Sequence, residues 1–384
     1  MLFRLQHQKK DAGGRVEMAG EKVVVAMSGG VDSSVAALLL HRAGYAVTGI
    51  TMRLWTPDDP DAQAHNKRCC SVEDVADAQE AAALIGIPHY VINFEREFKS
   101  GVIDYFLGEY RSGRTPHPCI ACNQKVKFDP LLARAESIGA RYLATGHYAQ
   151  VEHSAAGHRL RKAADPSKDQ SYVLYGLQQA ELARLLFPVG GYAKSEIRRL
   201  AAEAGLPVAD KPDSQDICFI PNGNYREFMA RHGGTRPGRI VDQAGNTLGQ
   251  HQGIENFTVG QRRSLGVAGA EPRYVIAIDA QSGDVTIGAG DQVLADTLWA
   301  EDVRYIAGRA PESPRAVTAK YRYKSAEVPA VLYADGGMAR VEFAAPQRAL
   351  TPGQAAVFYD GDVVLGGGVI QRAAMRAAQA QPVS

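Results

Sequence analysis

One stretch near the start of the chain, KVVVAMSGGVDSSVAALLLHRA at residues 22–43, restricts the fold more than any other. An apolar run, Val23 to Ala26, leads into a short loop with Gly29 and Gly30, and an apolar helical pattern begins at once. This order predicts a buried strand, a tight loop and a helix. Glycines let a backbone approach a ligand closely, and the first N–H groups of a helix attract anions. The stretch favours a phosphate site, and an ordinary strand-to-helix turn with a Ser or Asp cap is the alternative.

The polar residues of this loop refine the prediction. The loop lacks the Gly-Lys-Ser/Thr ending of a Walker loop, so the usual phosphate loop of kinases and GTPases does not apply. Ser28, Ser33 and Ser34 offer hydroxyl donors. Asp32 is suited either to hold Mg2+ or to cap the helix.

Composition sets the broad class of the protein. The 384 residues suffice for two or three domains, and 45% hydrophobic and 22% charged residues are ordinary for a globular protein. A net charge of +1 gives no global signal for nucleic acid, so any such site has to be a local patch. No apolar run approaches the roughly 18 residues of a membrane span, and residues 1–20 lack the apolar centre of a signal peptide. With only five cysteines and no export signal, we expect a reducing, cytoplasmic compartment and no membrane partner.

Strand and helix patterns alternate up to about residue 145. Strands are expected at residues 45–55, 89–94 and 141–145, and helices at residues 71–85, 97–112 and 125–138. Such alternation predicts an α/β fold with a doubly wound parallel sheet, whose ligands bind at the carboxyl ends of the strands. The glycine loop, Met52 and Gly146 all fall at that edge.

The pattern changes after residue 150. A hairpin is expected to end near Arg161, and helices are expected at residues 179–186, 194–204 and 224–231. After Gly233, short alternating runs separated by glycine predict two small β domains or barrels. The expected domains are a flexible extension at residues 1–20, the loop-bearing domain at 21–228, a central β domain at 229–291, a barrel at 292–372 and a disordered tail at 373–384.

Two segments place thiols beside polar residues. Cys119 and Cys122 lie in PHPCIACN, which we interpret as a loop just before a helix that starts with two lysines. A thiol at a helix N-terminus near cations has a lowered pKa, so Cys122 is a candidate nucleophile. A CxxC pair equally indicates a metal or redox site, but the adjacent Cys69 and Cys70 fit a four-cysteine zinc site poorly. Cys218, which follows the polar residues 213–216, is either a core residue or a thiol that a substrate can reach.

Two further polar groups have two interpretations each. Lys168-Asp169-Gln170 suits contacts to a phosphate backbone or a base edge, or is a solvated turn. Arg322-Tyr323-Lys324 offers charge and a stacking face for RNA, or is an ordinary barrel surface.

Several motifs together resemble those of the tRNA-specific 2-thiouridylases. They are AMSGGVDSS, RTPHPCIACNQKVKFDPLL, ATGHYA, KDQSYVLY, LFPVG, DSQDICFI, HQGIENFTVGQRRSLG and TPGQAAVFYDG. They occur in the family's order over residues 22–371, and several are specific to this family rather than to ATP pyrophosphatases in general. The resemblance implies an adenine-nucleotide α-hydrolase-like domain with a pyrophosphate-binding (PP) loop, followed by two small β domains.

The resemblance also implies a reaction and its residues. ATP with Mg2+ adenylates the C2 oxygen of the wobble uridine in tRNAs for Lys, Glu and Gln, and sulfur then replaces that oxygen. The implied ATP-binding residues are Ala26, Met27, Ser28, Gly29, Gly30, Val31, Asp32, Ser33, Met52 and Gly146. The implied tRNA-binding residues are His117, Pro118, Cys119, His147, Lys168, Asp169, Gln170, Arg322, Tyr323 and Gln354. Cys122 matches the catalytic nucleophile and Cys218 the cysteine that carries persulfide sulfur, with a cysteine desulfurase or sulfur-relay protein as donor.

One position departs from the usual family pattern. Where many members have Asp, this chain has Cys119, so a carboxylate proposed for proton transfer is missing and a third thiolate candidate is present. Cys119, Cys122 and Cys218 have the type and number of ligands for a 4Fe-4S cluster with one open iron. The alternative is a persulfide enzyme whose cycle leaves a disulfide between Cys122 and Cys218. An ATP-dependent amidating ligase of the same superfamily and a non-catalytic RNA- or nucleotide-binding protein are the competing functions.

Overall fold

The computed structural model describes residues 20–55, 72–213, 217–220, 224–232, 235–267 and 271–375. Cys69, Cys70, the expected helix start at Ser71 and both chain ends lie outside these residues. The chain divides into two compact units. The first comprises the described residues within 1–102, 119–223 and 362–364, and the second those within 103–118, 224–361 and 365–384.

The first unit combines strands and helices. Its strands are β1 (Lys22–Ala26), β2 (Ala46–Arg53), β3 (His89–Asn93), β4 (Tyr142–Thr145), β5 (Ala149–Glu152), β6 (Arg159–Lys162) and β7 (Leu185–Leu186). The α-helices of the described residues in both units are α1 (Val31–Arg42), α2 (Val72–Ile85), α3 (Glu95–Phe98), α4 (Asp104–Arg111), α5 (Pro118–Cys122), α6 (Pro130–Ser137), α7 (Gln179–Leu182), α8 (Lys194–Glu203) and α9 (Tyr225–His232). Two π-helical segments, Lys99–Ile103 and Asn123–Lys127, and two 3-10 turns, Ser171–Leu174 and Ile254–Asn256, complete the helical structure.

A parallel sheet with the strand order β3-β2-β1-β4-β7 forms the centre of the first unit. β1 pairs with β2 on one side and with β4 on the other. Its apolar residues Val23, Val24 and Val25 are at most 1% exposed, because the central strand of such a sheet is covered on both faces. The predicted α/β fold with a parallel sheet is confirmed.

Small residues let the helices pack closely on this sheet. Ala36 and Ala37 of α1 and Ala78 and Ala81 of α2 are fully buried in one hydrophobic core, which also includes Ile197 of α8. Because alanine keeps helix axes near the sheet, the N-terminus of α1 is held rigidly at the sheet edge.

Three expected elements differ from the structure. The helix expected to start at residue 125 begins earlier, at Pro118, because proline has a preset φ and no N–H to lose at a first helical position. The expected helix at residues 97–112 contains the π-helical segment Lys99–Ile103. The expected helix at residues 179–186 ends at Leu182, and the buried pair Leu185–Leu186 instead pairs with β4 as an edge strand. Strand pairing therefore overrides a helical pattern at this position.

The hairpin predicted to end near Arg161 is present. β5 and β6 pair in antiparallel fashion from Ala149↔Lys162 to Glu152↔Arg159. Val363 pairs with Arg161 within the same unit.

The second unit is mainly β-structure. Its further strands are β8 (Gly238–Val241), β9 (Thr247–His251), β10 (Tyr274–Ile278), β11 (Val285–Gly288), β12 (Leu294–Tyr305), β13 (Arg315–Lys320), β14 (Val328–Asp335), β15 (Met338–Arg348), β16 (Ala355–Asp360) and β17 (Val363–Ala374). β8 to β11 form one sheet in the order β10-β11-β8-β9. β12 to β17 follow the order β12-β15-β14-β13-β16-β17, and pairing between β12 and β17 closes them into a six-stranded barrel. The two predicted β domains are confirmed. In the part of the chain described, no helix has the length and apolarity to cross a bilayer.

Candidate active site: a glycine loop, an ionic network and thiols

The glycine loop lies at the carboxyl edge of the sheet, between β1 and α1. Gly29 has a φ of 71°, and a Cβ added there would lie 2.1 Å from the backbone oxygen of Asp74 in α2. Only glycine fits this position, because the left-handed backbone and the close neighbour both exclude a side chain. The loop backbone is therefore fixed against α2, with its N–H groups at the start of α1.

Serine hydroxyls hold the loop from within. Ser33 Oγ donates to the carbonyl of Gly30 at 3.1 Å and accepts from the N–H of Ser28 at 3.2 Å. Ser34 Oγ donates to the same carbonyl at 3.0 Å and is fully buried. Gly30 is the N-cap of α1 and no side chain caps this helix, so the capping role considered for Asp32 is wrong.

The other residues predicted to bind ATP lie at the same edge of the sheet. Met52 is near the end of β2, and Gly146 directly follows β4. A Cβ on Gly146 would lie 2.7 Å from the backbone nitrogen of Ser33. The absence of a side chain at Gly146 thus lets the end of β4 approach the start of α1. Their ATP-binding role stays a prediction.

The Asp32 carboxylate is held by two partners that the sequence did not indicate. Lys194 Nζ, on the first residue of α8, lies 2.7 Å and 2.8 Å from the two carboxylate oxygens. The Tyr148 hydroxyl donates to the same carboxylate at 2.7 Å. The Lys194 side chain is only 11% exposed, so this ion pair is largely shielded from solvent.

Asp213 extends the network to two further cations. Its carboxylate pairs with Lys194 at 2.9 Å, with Lys168 at 2.9 Å and with Arg198 at 3.0 Å. Burial opposes its ionisation, but hydrogen bonds from Lys194 and Lys168 lower the pKa of Asp213 to about 2. Lys168, a predicted tRNA contact, is thereby joined through two carboxylates to the glycine loop.

Lys211 contacts the loop directly. Its Nζ donates to the carbonyl oxygen of Gly29 at 2.9 Å, to Asp74 at 2.6 Å and to Asp77. Burial lowers the pKa of Lys211, but hydrogen bonds to Asp74 and Asp77 outweigh it and raise the pKa overall. The absence of a lysine from the phosphate loop indicates that cations come from other parts of the chain. Nothing in the sequence picks out the lysines 162 and 182 residues away from their loop partners.

Cys119 and Cys122 lie in α5, one helical turn apart. Cys119 is exposed and Cys122 is 8% exposed. The expectation that both lie in a loop before a helix is wrong, because the helix already begins at Pro118. Cys122 lies inside a helical stretch that continues into the π-helical segment Asn123–Lys127, and not at the N-terminus of that stretch, so the helix-dipole argument for a lowered thiol pKa does not hold for it. The side-chain amide of Asn123 donates to the carbonyl of Val173 at 3.1 Å and anchors the turn that carries Cys122.

Cys218 lies between solvent and core. Its neighbours Phe219 and Ile220 are 3% and 1% exposed, and Phe219 packs edge-on against Phe98 with ring centroids 5.7 Å apart. Cys218 itself is half-buried. Phe219 and Ile220 are thus core residues, whereas the Cys218 thiol remains partly accessible to solvent.

The three thiols do not form a prepared iron–sulfur site. Cys119, Cys122 and Cys218 are thiols and not disulfides. Across the described residues, no three His, Cys, Asp or Glu side chains are grouped so as to hold a metal ion. Because a cubane needs its thiolates gathered around one cluster, this arrangement does not fit it.

The predicted tRNA contacts of the first unit are well ordered by the protein itself. His147 is buried, shares a 2.7 Å hydrogen bond with Thr145 Oγ1, and has a pKa well below its ordinary value because of burial and the charge of Lys127. Asp169 accepts from the N–H of Ala163 at 2.9 Å, and Gln170 exchanges two hydrogen bonds with the Tyr148 backbone. These bonds set the shape of the loop, and a tRNA contact by it stays a prediction.

The predicted tRNA contacts of the second unit also bind protein groups. Arg322 donates to the carbonyl of Ala349 at 2.6 Å, and Gln354 Nε2 donates to the carbonyl of Thr115 at 2.9 Å. The rings of His117 and Tyr323 lie edge to face with centroids 6.1 Å apart, and burial lowers the pKa of His117 to about 4. A neutral imidazole is therefore expected at pH 7.

The parallel sheet and its glycine loop are typical of α/β proteins of the HUP class. Three family models match the chain in succession: the tRNA methyl transferase HUP domain at residues 21–222, the tRNA methyl transferase PRC-barrel domain at 226–289 and the aminomethyltransferase β-barrel domain at 295–370. Together with the full-length relatives described next, these matches show that the chain belongs to the tRNA-specific 2-thiouridylases.

The relatives match about nine-tenths of the chain. A tRNA-specific 2-thiouridylase MnmA of Roseiflexus sp. (strain RS-1) is 48% identical, over 91% of this chain and 99% of its own. The one of Heliobacterium modesticaldum is 50% identical, over 92% of this chain and 93% of its own. A solved NMN synthetase from Francisella tularensis aligns with 51% of this chain and 67% of its own at 21% identity and a TM-score of 0.32, a likeness too low to carry an argument.

Proposed function

We propose that this protein replaces the C2 oxygen of a uridine in tRNA by sulfur in an ATP-dependent reaction, which gives 2-thiouridine. The observation that carries this proposal is the family match along nearly the whole chain at about half identity. The protein is accordingly a tRNA-uridine 2-sulfurtransferase with tRNA as its substrate. An amidating ligase and a non-catalytic binding protein are not favoured.

The glycine loop supplies the first half-reaction. With Ala26 to Ser33 around the phosphates and Met52 and Gly146 at the same edge, ATP is bound with Mg2+. The uridine O2 attacks the α-phosphorus, pyrophosphate leaves into the loop, and C2 gains AMP as its leaving group. As the one carboxylate among residues Ala26 to Ser33, Asp32 would hold the metal.

Cysteine chemistry supplies the second half-reaction. The terminal sulfur of a Cys218 persulfide attacks C2 and expels AMP. The Cys122 thiolate then attacks the Cys218 sulfur, which breaks the sulfur–sulfur bond, leaves sulfur on C2 and forms a Cys122–Cys218 disulfide. A cellular thiol reductant restores both cysteines, and a cysteine desulfurase or sulfur-relay protein reloads Cys218.

The remaining predicted contacts are assigned to tRNA. Since the target base has to leave its stack to reach the thiols, contacts on both sides of the base are needed. We assign this role to His117, Pro118, Cys119, His147, Lys168, Asp169, Gln170, Arg322, Tyr323 and Gln354. The substrate base is the wobble uridine of tRNAs for Lys, Glu and Gln.

A 4Fe-4S cluster held by Cys119, Cys122 and Cys218 is the competing route for sulfur. The described arrangement of these thiols speaks against it, so no step is assigned to a cluster. Iron and sulfide analysis of anaerobically purified protein tests it directly. Protein free of iron that still thiolates tRNA supports the persulfide route, whereas iron and sulfide near four per chain, lost together in Cys119→Ala, supports the cluster.

Separate assays of the two half-reactions test the proposal. We expect Cys122→Ser and Cys218→Ser to release pyrophosphate from ATP in the presence of tRNA but to form no 2-thiouridine by mass spectrometry. Cys119→Ala also removes a thiol, but as one of several proposed tRNA contacts Cys119 should affect the rate only a few-fold, and 2-thiouridine should still form. Absence of tRNA-dependent pyrophosphate release by the wild type would contradict the proposed function.

A further inference from the structure

The phosphate loop of this protein lacks a lysine, yet a triphosphate brings several negative charges to it. Two ammonium groups from distant segments contact the loop region, Lys211 at the Gly29 carbonyl and Lys194 at the Asp32 carboxylate. Lys211 and Lys194 have different hydrogen-bond partners, and these partners indicate different roles for the two lysines.

All three N–H groups of Lys211 already have partners in the loop and in α2. An ammonium has three N–H donors, and Lys211 donates to the Gly29 carbonyl, to Asp74 and to Asp77. Its removal from these partners would leave two carboxylates at the start of α2 without their cation. Lys211 therefore positions the loop against α2.

Each carboxylate that binds Lys194 can be neutralised by another cation. One is Asp32, whose charge a magnesium ion would neutralise. The other is Asp213, which keeps Lys168 and Arg198 as cations when Lys194 leaves. Release of Lys194 therefore leaves no unpaired buried carboxylate, which is the usual cost of breaking such a network.

The side chain of Lys194 is also suited to a phosphate. Its ammonium is a compact charge on a flexible stem, and it lies 5.6 Å from the centre of the Tyr148 ring beside Asp32. With 11% exposure, its attraction to an anion is weakly screened by water. The ammonium is thus held at the N-terminal turn of α1, where the phosphates bind.

The geometry points to Lys194 as the phosphate-binding lysine that the loop lacks, held by Asp32 in the empty protein and transferred to the β- and γ-phosphates when Mg2+ and ATP bind. This inference rests on the proposed function, because it assigns a further residue to the same ATP site. It predicts that the contribution of Lys194 depends on the phosphates and not on the adenosine.

Calorimetric titration of the full-length protein with Mg2+–ATP and with AMP tests this inference. Because a hydrogen bond to a charged group is lost, Lys194→Met should bind Mg2+–ATP about tenfold to a hundredfold more weakly than wild type. Its affinity for AMP, which lacks the β- and γ-phosphates, should stay within about twofold. Lys194→Arg keeps the charge and should recover most of the ATP affinity.

Arg199→Met is the matched control. Arg199 lies on the same helix in an exposed pair with Glu203, so its loss should leave both affinities unchanged. Equal weakening of ATP and AMP by Lys194→Met, or no weakening of either, would overturn the inference. Should Lys194→Met fail to fold, the ratio of ATP to AMP affinity in Lys194→Gln decides in the same way. Wild-type protein that binds no ATP would instead refute the proposed function.

Discussion

The glycine loop and the ionic network beside it serve the same edge of the sheet, but they are built in different ways. The loop consists of consecutive residues whose own backbone and hydroxyl groups hold it, as in the Ser33 contacts to Gly30 and Ser28. The network joins Lys168, Lys194 and Asp213, which come from separate segments. A site formed by the backbone groups of consecutive residues can be recognised in one stretch of sequence. A site formed by charged side chains from separate segments depends on the whole fold.

Gly29→Ala should break the loop and produce the largest effect. The left-handed backbone alone costs an alanine about 1–2 kcal/mol, and its Cβ would overlap the Asp74 carbonyl, 2.1 Å away. We expect lower thermal stability and no measurable ATP binding, measured by calorimetry. Gly86→Ala is the control, because Gly86 has a φ of 82° with nothing within 4 Å of an added Cβ. If both variants lose the same stability, steric contact with α2 does not define the loop.

The same contrast explains what the sequence could predict. The order of strands and helices around residues 22–145 follows from local periodicity, so the parallel sheet and the loop were both predicted. The short strand Leu185–Leu186 was not, because pairing with β4 decided its structure. Lys194 and Lys211 were missed for a related reason, since only tertiary structure brings them to the loop.

The thiols were predicted only in part. The candidate thiols can be identified from the sequence, but their local structure cannot, because the PHPC segment has the composition of a loop and yet begins a helix at Pro118. That the described residues contain no three-thiol metal group is likewise a property of the fold and not of the CxxC spacing.

Asp213→Asn should weaken the network with a clear dependence on pH. The ordinary carboxyl pKa of 3.8 falls to about 2 in the folded protein, so the charged carboxylate favours folding above pH 4. We expect a loss of about 2 kcal/mol at pH 7 from unfolding in urea. The gap to wild type should be constant above about pH 5 and should narrow as the pH falls below 4 towards 2, where Asp213 becomes protonated.

Glu203→Gln provides the comparison for Asp213. Glu203 pairs with Arg199 in an exposed position, and we expect a change of less than about 0.5 kcal/mol. A gap for Asp213→Asn that stays unchanged down to pH 3 would mean that its ionisation does not stabilise the network.

Tyr148→Phe should produce the smallest effect and distinguishes the two partners of Asp32. The hydroxyl donates to Asp32 at 2.7 Å, and its removal should cost about 1 kcal/mol of unfolding free energy. Because Lys194 remains on the same carboxylate, Mg2+–ATP affinity should change by less than about threefold. Tyr90→Phe, which removes a hydroxyl from a residue that is 58% exposed, should change neither quantity. A loss of ATP affinity in Tyr148→Phe as large as in Lys194→Met would show that the orientation of Asp32, and not the ammonium, governs phosphate binding.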